Sequence, residues 1–316
     1  GLSAGPFVGG MLTGFFGWRS VFLSAALLGA GAFGWVVLRL KGEWADAAGE
    51  RLDLTGCLFY ACGLFGIIYG AASLPGTRGA VLLAGGVAVL ALFVRREYRA
   101  AVPLLDMRLF SQNRVFAFSS LAALIHYAAV FAVTMLMSLY LQFVQGLSPQ
   151  VAGLVLLAQP VVQALCSPAA GRLSDRSDAG RVASLGMTIT ASGLVLLLFT
   201  GTGTPLGYVV FILIVLGFGY ALFSSPNSNA IMGAVTRRHY GVASSVVTTM
   251  RAVGMSMSMA VATVMISVFV GEAAIGPENV PALLRAMRVT FGISVMLCCC
   301  GIAASLARGT VRRGPS

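Results

Sequence analysis

The sequence predicts an all-α, polytopic membrane protein, and three observations carry that reading. Hydrophobic residues make up 58% of the 316 positions and charged residues 10%, against about 25% charged in soluble domains. The apolar residues gather into ten stretches, most of them long enough to cross a hydrocarbon core about 30 Å thick as helices. Strand-type alternation is absent, which argues against an outer-membrane barrel.

The first stretch, Gly1 to Gly14, is roughly 21 Å long at about 1.5 Å per residue and falls short of a full crossing. A chain terminus at that depth is costly. The chain therefore reads as the C-terminal part of a larger membrane protein, beginning inside a span. The next stretches are Val21–Leu38, Leu54–Leu74 and Ala80–Val94, the last being the shortest. Then come Val115–Phe143 with His126 near its middle, Val151–Ala170 with Gln159, Pro160 and Gln163, and Val182–Thr200. Leu206–Val235 carries Pro226, Asn227 and Asn229; Gly241–Val270 carries Arg251; Ala282–Ala307 carries Cys298, Cys299 and Cys300.

The net charge of +11 reads as topology rather than as a nucleic-acid surface. If the first helix exits outward, sixteen of the 21 Lys and Arg residues fall on the inner side and four (Arg19, Arg78, Arg285 and Arg288) on the outer, with Arg251 inside a span. That bias orients the protein with its C-terminus cytoplasmic. The six cysteines lie in or beside apolar spans. Adjacent cysteines on a helix point about 100° apart and cannot converge on one metal, so they read as packing residues. No metal site and no cofactor is expected.

Only two connections are long, Arg39–Asp53 and Arg95–Arg114. They bracket two spans that look inserted between larger units. The expected organisation is residues 1–40 as the last two spans of an N-terminal six-helix bundle, 41–113 as two linking spans with cytoplasmic loops, and 114–316 as a complete six-helix bundle with a short tail.

The motifs supply a resemblance. Gly1-x-x-x-Gly5-Pro6-x-x-Gly9-Gly10 resembles the antiporter motif in the fifth span of major facilitator superfamily exporters. Gly171-Arg172-Leu173-Ser174-Asp175-Arg176 is similar to that superfamily's cytoplasmic loop signature in its second-half copy. It departs from the pattern after Arg176, where Ser177-Asp178-Ala179 precedes Gly180-Arg181 in place of one residue. Pro226-Asn227-Ser228-Asn229, Gly241-Val242-Ala243-Ser244 and Arg251-Ala252-Val253-Gly254 look like the fourteen-span drug:proton antiporter branch. The resemblance implies a major facilitator fold in the plasma membrane and efflux of small amphipathic drugs or antibiotics in exchange for protons. An exporter of one metabolite, lipid precursor or siderophore stays open, as does a non-transporting sensor or scaffold. An enzyme is not expected, because the spans hold no cluster of titratable groups at one depth.

Several residues carry two readings each. Gly1, Gly5 and Gly9 share one helix face, with Gly10 on another, and Pro6 bends the helix. The set either seals two halves of a transporter, as the resemblance implies, or provides ordinary small-residue packing. Gly171, Arg172, Asp175 and Arg176 form either an interface gate, in which Asp175 pairs across the domain boundary, or a solvated basic loop. His126 is either a proton relay or substrate ligand, or a neutral ring bonded to a neighbouring helix. Arg251 either faces an aqueous cavity with Met255 on the same helix face, or snorkels to the surface. Gln159, Gln163, Asn227 and Asn229 either line a cavity together with Met255, Met257 and Met259, or hydrogen-bond between helices. All ten carboxylates lie outside the apolar cores, so the acid that couples protons is expected in spans upstream of Gly1.

The charge bias makes a direct prediction. Single cysteines at Ser177 and Arg238 should react with impermeant thiol reagents from the cytoplasmic side only, and one at Gly276 from the outside only. Labelling of Ser177 and Gly276 from the same face would reject the orientation.

Overall fold

A computed structural model of the chain describes residues 5–39, 53–100, 105, 107–236, 239–271 and 276–309. All regular structure among them is helical, and nine helices are long and apolar enough to cross a membrane. The tenth expected span is represented by α1 (Gly5–Phe16), whose 12 residues do not reach across. Gly1 lies outside the described residues.

α2 (Arg19–Arg39) packs on α1, and none of its residues is buried. α1 also meets α7 (Pro149–Leu156), where the Cβ position of Gly14 lies 3.0 Å from Gln150 Nε2. The close backbone approach expected at Gly9 is not seen: among the described residues nothing lies within 4 Å of its Cβ position. The contact face of α1 falls instead at its other end.

α3 (Leu54–Ala72) and α4 (Thr77–Glu97) form a tight antiparallel hairpin. A Cβ on Gly66 would sit 2.7 Å from Gly86 Cα, so the two backbones touch, the device helices use in lipid, where no hydrophobic force drives their association. Asp53 caps α3 by accepting from Gly56 N at 2.9 Å, and Arg96 of α4 donates to both its carboxylate oxygens, through Nη2 at 2.9 Å and through Nη1. The Arg96 guanidinium first, and the Gly56 amide second, hold the Asp53 carboxyl below the usual carboxylate range. The hairpin docks on α11 (Tyr240–Phe269), where the Tyr60 and Thr249 hydroxyls share a hydrogen bond. The Ala80–Val94 stretch thus belongs to a helix of 21 residues.

After the short α5 (Arg108–Gln112), α6 (Arg114–Leu139) continues into a π-helical turn, Tyr140–Val144. α7 and α8 (Ala158–Arg176) make one span with a break at Leu157. The break follows from sequence: Pro160 has no N–H to donate to the carbonyl of Leu156, four residues earlier, and α7 ends at Leu156. α9 (Ala179–Leu197), α10 (Leu206–Gly233), α11 and α12 (Val280–Ala307) complete the bundle. Leu136, Met137, Leu194, Leu213, Leu216 and Phe291 fill its centre with no exposed surface. Leu165, Phe199 and Met296 are each at least 70% exposed, the arrangement of a lipid-facing perimeter. Cys298 is buried, but Cys62, Cys299 and Cys300 are exposed on the perimeter rather than packed inside.

Gly171, Arg172, Asp175 and Arg176 are not in a loop. They form the last turns of α8, which leaves helical geometry only at Ser177. Arg176 in the final turn suits the negative end of the helix dipole, and the next helix starts at once because Asp178 Oδ1 accepts from Gly180 N at 2.7 Å. The extra residues of the signature are therefore the linker and cap between α8 and α9.

The starts of α6 and α9 lie beside the ends of α10 and α12. At the end holding the starts of α6 and α9, the Arg308 side chain is 3% exposed. It donates to Ser119 Oγ (3.0 Å), Asn227 Oδ1 (3.2 Å), Gly180 O (2.6 Å) and Ser305 Oγ (2.6 Å), tying α6, α10, α9 and α12 together. Burial pushes its pKa down to about 10, which leaves it charged at neutral pH. At the other end the Tyr140 hydroxyl donates to Gly201 O at 2.7 Å, and Gln145 Nε2 to Thr204 O at 2.7 Å.

α6 and α11 approach closely at Gly254, where a Cβ would lie 2.6 Å from Leu124 O and 2.9 Å from Tyr127 Cβ. Gly254→Leu should force these helices apart at a cost of about 1–3 kcal/mol and lower the unfolding temperature by several degrees. Gly9→Leu, with open space before it, should leave the unfolding temperature unchanged. Equal melting of the two variants would contradict the packing described.

Candidate functional site: a cavity between α6, α8, α10 and α11

A cavity of about 810 Å³ opens between these helices, within the range of small-molecule sites. Helical periodicity places its wall on α6, where Tyr127, Phe131, Thr134 and Ser138 recur every three or four residues and so share one face. α8 adds Gln159, Pro160 and Gln163; α10 adds Tyr220 and Ser224; α11 adds Arg251, Met255 and Met259. The break before Pro160 puts irregular backbone beside the cavity, a position tolerated at membrane depth where backbone lines an internal space.

Arg251 is the cation of the site. Its guanidinium carbon stands 5.0 Å from the centre of the Tyr127 ring, a cation–π contact worth up to about 2 kcal/mol when desolvated. That offsets only part of the several kcal/mol needed to hold an ion away from water. Arg251 Nε has no hydrogen-bond partner, no carboxylate lies within ion-pair distance, and none lines the cavity, among the described residues. The site is therefore electropositive. Snorkelling, the other reading of Arg251, is not what the side chain does. The Gln159 and Gln163 side-chain amides also make no hydrogen bond among the described residues, whereas Ser138 is engaged by Gln142 Nε2 at 2.9 Å. Met255 and Met259 supply soft, adaptable surface. Met257, two residues from each and so on the far side of the helix, is 43% exposed on the perimeter.

The remaining candidates lie elsewhere. His126 is fully buried behind the wall, stacked on Phe223 with ring centres 3.9 Å apart and 5.1 Å from Tyr220. Neither of its nitrogens has a partner among the described residues, so it packs as an aromatic ring and not through the interhelical hydrogen bond expected. Asn227 is drawn away to the Arg308 network and donates Nδ2 to Ser119 O at 3.0 Å; Asn229 donates to Ser174 Oγ at 2.9 Å. Both join helices at the Arg308 end. The sequence thus marks three cavity residues that the structure brings together (Gln159, Gln163 and Arg251), with Met255 beside them. It does not mark Tyr220, Thr134 or Met135.

The comparisons match this architecture. The chain is 28% identical over 275 residues to the riboflavin transporter RibZ of Clostridioides difficile, covering 86% of this chain and 58% of that protein. It is 30% identical over 274 residues to a multidrug resistance protein B homolog of Mycobacterium tuberculosis, covering 83% and 50%. The chain therefore spans between half and three-fifths of the length of these two relatives. The solved structure of a bacterial homolog of the human lysosomal transporter Spinster, inward-facing and occupied, superposes with a TM-score of 0.54 over 80% of this chain and 64% of that one, at 15% identity, a likeness of fold alone. Residues 119–315 match the Major Facilitator Superfamily, and the chain belongs to that family.

Proposed function

We propose that the chain is the substrate-binding half of a secondary active exporter that moves neutral or anionic amphipathic molecules across the plasma membrane by alternating access, in exchange for protons. Its C-terminus would be cytoplasmic, residues 1–40 would close the first bundle, residues 41–113 would link the bundles as in the fourteen-span branch, and residues 114–316 would form the second bundle. The observation that carries this reading is the cavity itself: apolar and aromatic walls, two free side-chain amides, and Arg251 on Tyr127 without a facing carboxylate. A midplane-type cavity beside a broken helix is where such transporters hold cargo. The relatives' names, one a multidrug resistance protein and one a riboflavin transporter, support small organic cargo. The second name also favours the narrower reading, export of one planar aromatic metabolite, since aromatic walls and amides suit such a molecule as well as a range of drugs.

The test is flux in inverted vesicles, with the chain joined to a first bundle and a pH gradient imposed. An anionic aromatic dye should be pumped, and Arg251→Gln should reduce its rate at low dye concentration by about 10–100-fold, the loss expected for one charge-assisted contact. Transport of a cationic dye of equal size should not fall with that substitution. Faster pumping of the cation by the unsubstituted protein would overturn the charge reading, and no flux of any dye would favour a sensor or scaffold.

Coupling is tested separately. His126→Phe preserves an aromatic ring against Phe223 and should keep gradient-driven flux within about twofold, because a shape-conserving swap of a buried ring costs little. Loss of uptake driven by the gradient, with dye binding intact, would place coupling at His126.

A further inference from the structure

The α8 wall of the cavity carries polar groups that the charge of Arg251 leaves unused. Gln159 and Gln163 lie one turn apart and line the cavity together with Leu156 and Pro160, a spacing that puts all four on one helical face. Both glutamines are half-buried, and neither side-chain amide makes a hydrogen bond among the described residues. The Ser167 hydroxyl donates to Gln163 at 2.6 Å, but to its backbone carbonyl. The main chain of Gln159 is pinned as well: its carbonyl fills the space that a Cβ on Gly217 of α10 would need. Each glutamine is thus held through its backbone while its amide stays unengaged.

A carboxamide presents N–H donors and a carbonyl acceptor side by side. The break in the span adds another acceptor beside them, because Pro160 brings no N–H to the carbonyl of Leu156, a residue that also lines the cavity. Polar groups left unpaired away from water cost free energy, so this wall favours a molecule that satisfies both functions. An ammonium finds no ion pair there, since no carboxylate lines the cavity among the described residues. An acid group is drawn to the guanidinium of Arg251 instead. The neutral group that offers a donor and an acceptor side by side is a ring N–H next to a ring C=O. α8 packs on α10 and α11 packs on α6, so the amides and the guanidinium stand on different walls and face the two ends of one molecule. A volume of about 810 Å³ accommodates a planar ring system between them.

Taking the cavity as the cargo site proposed above, we infer that its α8 wall reads a lactam or imide edge of the cargo. Gln159 and Gln163 set this specificity, and Arg251 holds the acidic end. The cargo class is then a planar ring system with an acid group on one side and an N–H beside a C=O on the other.

The experiment is calorimetric titration of the full chain in zwitterionic nanodiscs with two matched probes. One is 2-quinolinone-4-carboxylate. The other is coumarin-4-carboxylate, which has the same size and charge but a ring oxygen in place of the N–H. The quinolinone should bind at least about tenfold more tightly, the loss expected when one hydrogen bond to a desolvated group goes unmade. Gln159→Leu/Gln163→Leu should bring the two affinities together. Its unfolding temperature should be unchanged, because the substitutions remove no hydrogen bond. Arg251→Gln should weaken both probes alike and leave their ratio as it was. Equal binding of the two probes by the unsubstituted chain would overturn the inference and leave the cargo site standing. A preference that survives the double leucine variant, or one that Arg251→Gln abolishes, would also overturn the assignment to α8. Binding of neither probe would defeat the cargo-site reading and this inference with it.

Discussion

Arg251 places a guanidinium among apolar spans, and the way it is held governs the site. A guanidinium at membrane depth needs a partner or water. Here the face of Tyr127, 5.0 Å away, is the contact supplied. That contact exists because Gly254, one turn further along α11, lets α6 come close enough for its own carbonyls to reach the vacant Cβ position. Helical periodicity turns Met255 and Met259 toward the cavity and Met257 away from it. Helix packing and the placement of the charge thus meet at this close approach of α6 and α11.

Polar groups elsewhere do a different job. In lipid, apolar side chains gain little by leaving the solvent, so interhelical hydrogen bonds of about 0.6 kcal/mol each and close backbone contacts hold the bundle. Arg308 gathers several such bonds at one end, and Tyr140 with Gln145 gathers others at the opposite end. The linking hairpin uses an ion pair, Asp53 with Arg96, and a hydroxyl pair, Tyr60 with Thr249. Of the polar groups with free hydrogen-bonding capacity, Arg251, Gln159 and Gln163 converge on the cavity, while His126 packs behind its wall. That contrast between engaged and free polar groups is the physical basis for separating structure from function in this chain.

How far the sequence could be read follows the same division. Span existence was legible because apolar length needs no partner to interpret, although the ends moved: α4 extends past Ala80–Val94 in both directions, and the signature at Gly171–Arg176 continues α8 as helix. Arg251, Gln159 and Gln163 were legible as polar groups in apolar stretches. Asn227 and Asn229 looked the same in sequence but hydrogen-bond Ser119, Arg308 and Ser174 away from the cavity, because depth in a span does not say which neighbour a side chain meets. Tyr220 and Thr134 were hidden in helices so apolar all round that no face stands out. Arg308 was counted only as a topological charge; its burial depends on Ser119, Gly180 and Asn227, which lie from 81 to 189 residues away.

The central claim is that the cavity is electropositive and selects its cargo by charge. The most direct measurement is equilibrium binding to the chain in zwitterionic nanodiscs, using fluorescence anisotropy of two planar aromatic dyes of equal size, one carboxylated and one carrying a quaternary ammonium. The account predicts at least tenfold tighter binding of the carboxylated dye, with the preference abolished in Arg251→Gln. Tighter binding of the ammonium dye, or a preference that survives the substitution, would contradict it.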